Sequence, residues 1–217
     1  MNDKQGSIDQ AGKQGIANDS FAAYQARGQR RWVEVLKHRW PTALGVAVAA
    51  LTFFGEEITV EFVSIVSAIV VLMAAIYLGA AALDRRRAAW VAFLVGFVVL
   101  AAGRLLDSSF GPSLVFLVGA LAFFVLGVVR GQWRTGGGLR LQTIGMLGFG
   151  AVALLALSVT PTLGGYLVAA ALISHAAWDA VHFRLNRVVA RSYAEFCAVV
   201  DLLLGAAILL MLYWRDL

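Results

Sequence analysis

The sequence predicts an all-α polytopic membrane bundle of about seven transmembrane helices, with the N-terminus cytoplasmic and the C-terminus outside. Three observations predict it. Of 217 residues, 60% are hydrophobic and 14% charged, with a mean hydropathy of +0.79; a soluble domain carries roughly 25% charged residues. Apolar runs long enough to cross a bilayer core, about 20 residues each, tile nearly everything after residue 40. Lys and Arg alternate between successive connecting segments.

Residues 1–19 are polar and read as a disordered tail without the apolar core of a signal peptide. Residues 20–39 read as a basic amphipathic interfacial helix, capped by Asp19 or Ser20. Trp32, Val33, Val35, Leu36 and Trp40 share one arc, while Arg30, Arg31, Glu34, Lys37 and His38 lie opposite. Such a helix is expected to grip anionic headgroups of the lipid bilayer. The membrane domain, 40–217, divides into spans at 40–55, 61–83, 88–106, 112–129, 141–159, 165–183 and 194–214. The first is short; if it did not cross, every later span would invert. Pro41 and Pro112 stand at span starts, where a missing N–H costs nothing.

The basic residues decide the direction. Of 18 Lys and Arg, seven lie in the tail: Lys4, Lys13, Arg27, Arg30, Arg31, Lys37 and Arg39. Arg85, Arg86 and Arg87 follow span two, Arg130, Arg134 and Arg140 follow span four, and Arg184, Arg187 and Arg191 follow span six. These 16 fall on one side of a seven-span arrangement, against Arg104 and Arg215 on the other. Positive charge resists translocation, so the rich side is cytoplasmic and the expected location is the cell (plasma or inner) membrane. The net charge of +5 does not imply nucleic acid, because it is spread over membrane loops instead of one soluble face. A lone cysteine, Cys197, excludes an intramolecular disulfide. A homo-oligomer is compatible with the pattern.

An ionisable group inside the bilayer costs at least about 2.5–3.5 kcal/mol, so its position carries information. Spans four and five have no charged residue, whereas spans six and seven concentrate them. On span six, His175, Asp179 and His182 fall at about 0°, 40° and −20° on one stripe. His175 sits near mid-membrane and His182 near the cytoplasmic boundary. Span seven returns with Cys197 and Asp201 on one face and Glu195 about 120° away. A short connection makes the two spans antiparallel neighbours, which sets Asp201 level with His175 and Cys197 level with Asp179.

Four roles fit these residues. A proton or ion path along the stripe ranks first among the active ones. A divalent metal held by His175, Asp179 and Asp201 comes next. Haem ranks last, since His175 and His182, about 10 Å apart on one helix face, cannot both ligate one iron. The plainest role is a buried His175–Asp201 hydrogen bond that locks two helices. A second polar locus lies near the outer face, where Glu61 opens span two, Arg104 closes span three, and Ser64 and Ser67 follow inward. Its plainest role is a solvated rim pair.

No phosphate loop, Cys-x-x-Cys, His-Glu-x-x-His or Gly-x-Ser-x-Gly is present, so no nucleotide is expected. Span seven has no Lys, so no retinal is expected either. The seven-span metal hydrolases of the ceramidase and adiponectin-receptor type need His on at least two helices; here both intramembrane His lie on one. The sequence thus points to a multi-pass membrane protein built around a His/Asp site, with proton- or ion-coupled transport ahead of an intramembrane enzyme acting on a lipid-like substrate. A structural or partner-binding subunit is the third class.

Overall fold

The computed structural model describes residues 39–52, 57–105, 112–134 and 138–215. The expected polar tail, and all but the last residue of the expected 20–39 helix, fall outside them. The chain divides into units 1–40 and 41–217, and the second carries everything described below except the first two residues of α1.

The described residues are entirely helical apart from turns. α1 covers 39–52, followed by α2 (Val60–Leu83), α3 (Ala88–Leu105), α4 (Pro112–Val129), α5 (Leu139–Leu157), α6 (Pro161–Leu185) and α7 (Arg191–Arg215). α2, α5 and α7 are long and apolar enough to cross a membrane. α3 and α4 hold shorter apolar stretches, Ala88–Gly103 and Ser113–Val129. α6 runs for 25 residues but carries the polar stripe.

α2 is the axis of the bundle. Between Val66 and Ala82 every residue except Ile69 is buried, and α3, α4, α5 and α6 all pack on it. A helix that is apolar all round suits a site with neighbours on every side. Thr59 caps it, its hydroxyl accepting from the Phe62 N–H at 3.1 Å. The outward faces of the surrounding helices are also apolar. Val91, Leu94 and Val98 on α3, Leu121 on α4, Ile144 and Leu147 on α5 and Leu210 on α7 are all exposed. The buried polar residues, among those described, are Ser67, Gln142, His175, Asp179, His182 and Asp201. Large apolar side chains outside and polar ones inside are the arrangement expected where the solvent is hydrocarbon.

Connections alternate between the two ends. The α2–α3 and α6–α7 turns touch, the Ala190 N–H donating to the Arg86 carbonyl at 3.2 Å. The α4–α5 connection joins them around a shared cavity lined by Arg86, Trp133 and Arg187. Asn186 takes a left-handed conformation (φ 48°) after the last turn of α6, one that Asn adopts more readily than most residues.

α6 and α7 form the most extensive helix pair, and Gly205 lets them approach. A Cβ there would meet Ile173 Cγ1 at 2.8 Å and the Ala169 carbonyl oxygen at 3.1 Å. Close backbone approach through small residues is the common solution between membrane helices. α1 closes on the other side of α7, where a Cβ on Gly45 would stand 3.0 Å from the Phe196 carbonyl oxygen. Gly205→Val is expected to force α6 and α7 apart at a cost of about 1–3 kcal/mol. Thermal unfolding in detergent should register this as a lower midpoint; an unchanged midpoint would refute the close-approach account.

Candidate functional site: a buried His–Asp–Tyr cluster below a basic cavity

Three helices contribute the cluster. His175 and Asp179 are one turn apart on α6, which puts both on one face. Asp201 comes from α7, at the level of His175. Tyr77 comes from α2. His175 Nδ1 is 2.8 Å from Asp201 Oδ2 and 3.4 Å from Asp179 Oδ2. An ionised carboxylate only accepts, so Nδ1 carries the proton and donates to Asp201. The Tyr77 hydroxyl donates to Asp179 Oδ1 at 2.5 Å. His175 is 1% exposed and both aspartates 0%.

The cluster is under-satisfied. Asp201 Oδ1, Asp179 Oδ2 and His175 Nε2 have no hydrogen-bond partner among the described residues. Buried polar atoms are nearly always paired, and each exception calls for an explanation. The His175 ring is instead packed edge-on by Phe149 at 4.8 Å and Tyr77 at 5.6 Å between centroids. The gap beside it, between Tyr77, Met146, Phe149 and Trp178, has no room for a water molecule.

His182 lies nearer the end of α6 and has a different environment. Its Nδ1 is 2.9 Å from the Trp178 carbonyl, which can only accept, so Nδ1 carries the proton. Nε2 then accepts from the Gln142 amide at 2.9 Å. This fixes a neutral tautomer with both nitrogens used. The Tyr77 ring packs edge-on against His182 at 4.9 Å, so Tyr77 touches both ends of the stripe.

His182 and Gln142 also form the floor of a cavity of about 540 Å³ at the end of the bundle. Arg86, Arg134, Arg140 and Arg187 line it, and among the described residues Asp84 is the one acidic lining residue. The cavity reaches the polar stripe at His182 and stops there, because Tyr77 and the aromatic packing separate it from His175.

The other sequence candidates fall elsewhere. Cys197 is fully buried, but the hydrogen bonds of the cluster run through His175, Asp179, Asp201 and Tyr77 without it. Glu195 accepts from the Thr42 hydroxyl at 2.5 Å and so joins α7 to α1. Glu61 is exposed in the first turn of α2, and the Arg104 side chain lies outside the described residues. Ser67 is buried with its hydroxyl unpartnered among those residues, separate from the cluster.

Sequence reasoning missed Tyr77, Gln142 and Trp178, because it weighed ionisable residues alone. A signal was available: a Tyr deep inside an apolar span must place its hydroxyl on a partner, and Gln142 is the amide side chain of a span free of charge. No protein-family model matches this chain, and no curated protein or solved structure is similar to it.

Tyr77→Phe removes the donor to Asp179 and leaves a buried carboxylate oxygen bare, at an expected cost of about 1–3 kcal/mol. A double-mutant cycle with Asp179→Asn should return a coupling energy of at least about 0.5 kcal/mol. Additive losses would mean that the two side chains do not act on one another.

Proposed function

We propose that this chain is a seven-span membrane protein, N-terminus cytoplasmic, that uses the His175–Asp179–Asp201 cluster as a proton-binding site for coupled transport. The 16-to-2 division of basic residues supports the topology, as does the meeting of the α2–α3, α4–α5 and α6–α7 connections at one end. That end is the cytoplasmic one on this reading, and the cavity is the port.

The observation that carries the proton reading is the set of unpartnered atoms in a sealed interior. A lock between helices would be complete in itself, with each acceptor matched. Here two carboxylates face one imidazole. With the imidazole charged, the cluster holds one net negative charge, and a single proton cancels it. A proton needs no cavity, only donors and acceptors in sequence. Tyr77 supplies one such step at Asp179, since its hydroxyl both donates and accepts. His175 links Asp179 to Asp201 through one nitrogen.

The sealed packing argues against an open pore. A transport cycle would therefore require Tyr77 and Phe149 to move, exposing His175 to the port in one conformation and hiding it in another. Apolar packing beyond the cluster, through Leu204, Ile208 and Leu212 on α7, fits a site open to one side at a time.

A divalent metal is the second reading. Single ligand atoms of His175, Asp179 and Asp201 lie within 4.8 Å of one another. The 2.8 Å His175–Asp201 separation is a hydrogen-bond length, however, and ligation through Nδ1, the nitrogen that faces both carboxylates, would require it to give up its proton. The geometry favours the proton.

Proteoliposomes enclosing a pH-sensitive dye test the reading under a valinomycin-clamped potassium gradient. Proton flux above that of empty vesicles is expected, slowed at least about tenfold in Asp201→Asn and His175→Ala. Unaltered flux in variants that retain helix content would contradict it. On the metal reading the purified chain instead carries about one equivalent of metal, lost in His175→Ala.

A further inference from the structure

The basic cavity at the α2–α3, α4–α5 and α6–α7 end has no task in the proton reading beyond letting protons in, and its charge opposes even that. We propose that it is a binding site for a phosphoryl group carried on an organic ligand. This goes beyond the proton reading and does not rest on it.

Charge is the first argument. Arg86, Arg134 and Arg187 from three separate connections and Arg140 from the first turn of α5 converge on one cavity, with Asp84 as the only acidic lining residue among those described. Four guanidiniums and one carboxylate leave +3. The positive-inside tendency accounts for arginines at this end, but not for four of them lining one open cavity. Their summed charge gives that cavity a positive potential that favours an anion. Guanidinium suits phosphate in particular, because its fork of donors matches two phosphoryl oxygens.

Backbone is the second argument. α5 begins at this cavity, with Gly138, Arg140, Leu141 and Gln142 all in its lining. Its N-cap, Gly138 in a left-handed conformation (φ 94°), has no side chain to cap the helix. Among the described residues the first-turn N–H groups of α5 have no side-chain cap. A helix start adds partial positive charge where a phosphoryl oxygen would sit.

Preorganisation is the third. The Arg140 Nε–H donates to the Trp133 carbonyl at 2.8 Å, and its guanidinium stacks over the Trp133 ring at 5.5 Å. The remaining nitrogens of Arg140 are thereby held in place before any ligand arrives, which lowers the entropy cost of binding. The floor does not compete, since His182 and Gln142 satisfy each other. The volume, about 540 Å³, lies within the range of small-molecule sites. Leu141, Leu185 and Val188 in the wall offer apolar contact to the organic part. The phosphoryl group could belong to a soluble monoester or to a lipid headgroup, and both present the same oxygens.

The test uses the full-length chain in phosphatidylcholine nanodiscs. One arm titrates glycerol 3-phosphate calorimetrically. The other measures retention of phosphatidic acid against phosphatidylcholine by native mass spectrometry. Saturable binding in either arm is expected, weakened at least about tenfold in the Arg86→Gln/Arg187→Gln double variant. Arg215→Gln, one charge removed at the opposite end of α7, should bind as the parent does. A response confined to the first arm identifies a soluble ligand; one confined to the second identifies a headgroup. Should the double variant fail to fold, Arg134→Gln is read in the same two arms. Binding in neither arm, or an equal loss in Arg215→Gln, would overturn the proposal. Asp201→Asn should leave phosphate binding intact, so failure of the proton reading and failure of this one are separately visible.

Discussion

The His175 imidazole, held between Asp201 at 2.8 Å and Asp179 at 3.4 Å, is the contact on which the rest of the structure turns. It ties α6 to α7, and through Asp179 and the Tyr77 hydroxyl it ties both to the central α2. Removing one member of such a buried set leaves charges without compensation, a cost of about 3–5 kcal/mol for a buried pair. Replacing the whole set with apolar residues would be close to neutral. Stability alone therefore does not explain these four polar residues at the centre of a mainly apolar bundle. Three of their atoms are unpartnered among the described residues, and the proton site proposed above would give them a partner.

Two polar sites of opposite character stand one above the other. The lower is acidic, dry and sealed by Tyr77, Phe149 and Trp178; the upper is a basic cavity open at the end of the bundle. His182 and Gln142 form the partition, each satisfied by the other. A positive field above the partition draws anions to the cavity, and that same field disfavours small cations on their way to the cluster.

Much of the site was legible in the sequence. The i, i+4 and i, i+7 spacing of His175, Asp179 and His182 fixed their common face, and the short α6–α7 connection fixed the pairing of His175 with Asp201. Helical periodicity and antiparallel geometry suffice for both. What lay hidden depended on α2. Nothing in an all-apolar stretch says which face meets α6, so Tyr77 could not be assigned to Asp179. Its burial from Val66 to Ala82 is likewise a property of the assembled bundle. The cavity was hidden for the same reason: nine loop arginines could be counted, but only packing selects the four that face one space. Helix positions agree with the apolar runs to within a few residues, except that α6 starts at Pro161, four residues before the expected 165, on a Pro favoured in the first turn.

A proton site requires that a carboxyl of the cluster exchange its proton with the cavity side. Infrared difference spectra of the protein in nanodiscs, recorded between acidic and alkaline buffer, report this directly through the stretch of a protonated carboxyl group. The account predicts a band in the protonated-carboxyl region that changes with pH and disappears in Asp201→Asn, while the amide bands of the helices stay the same. A spectrum in which no such band responds to pH, or in which the band survives in both Asp201→Asn and Asp179→Asn, would contradict it and leave the cluster as a static tie between α2, α6 and α7.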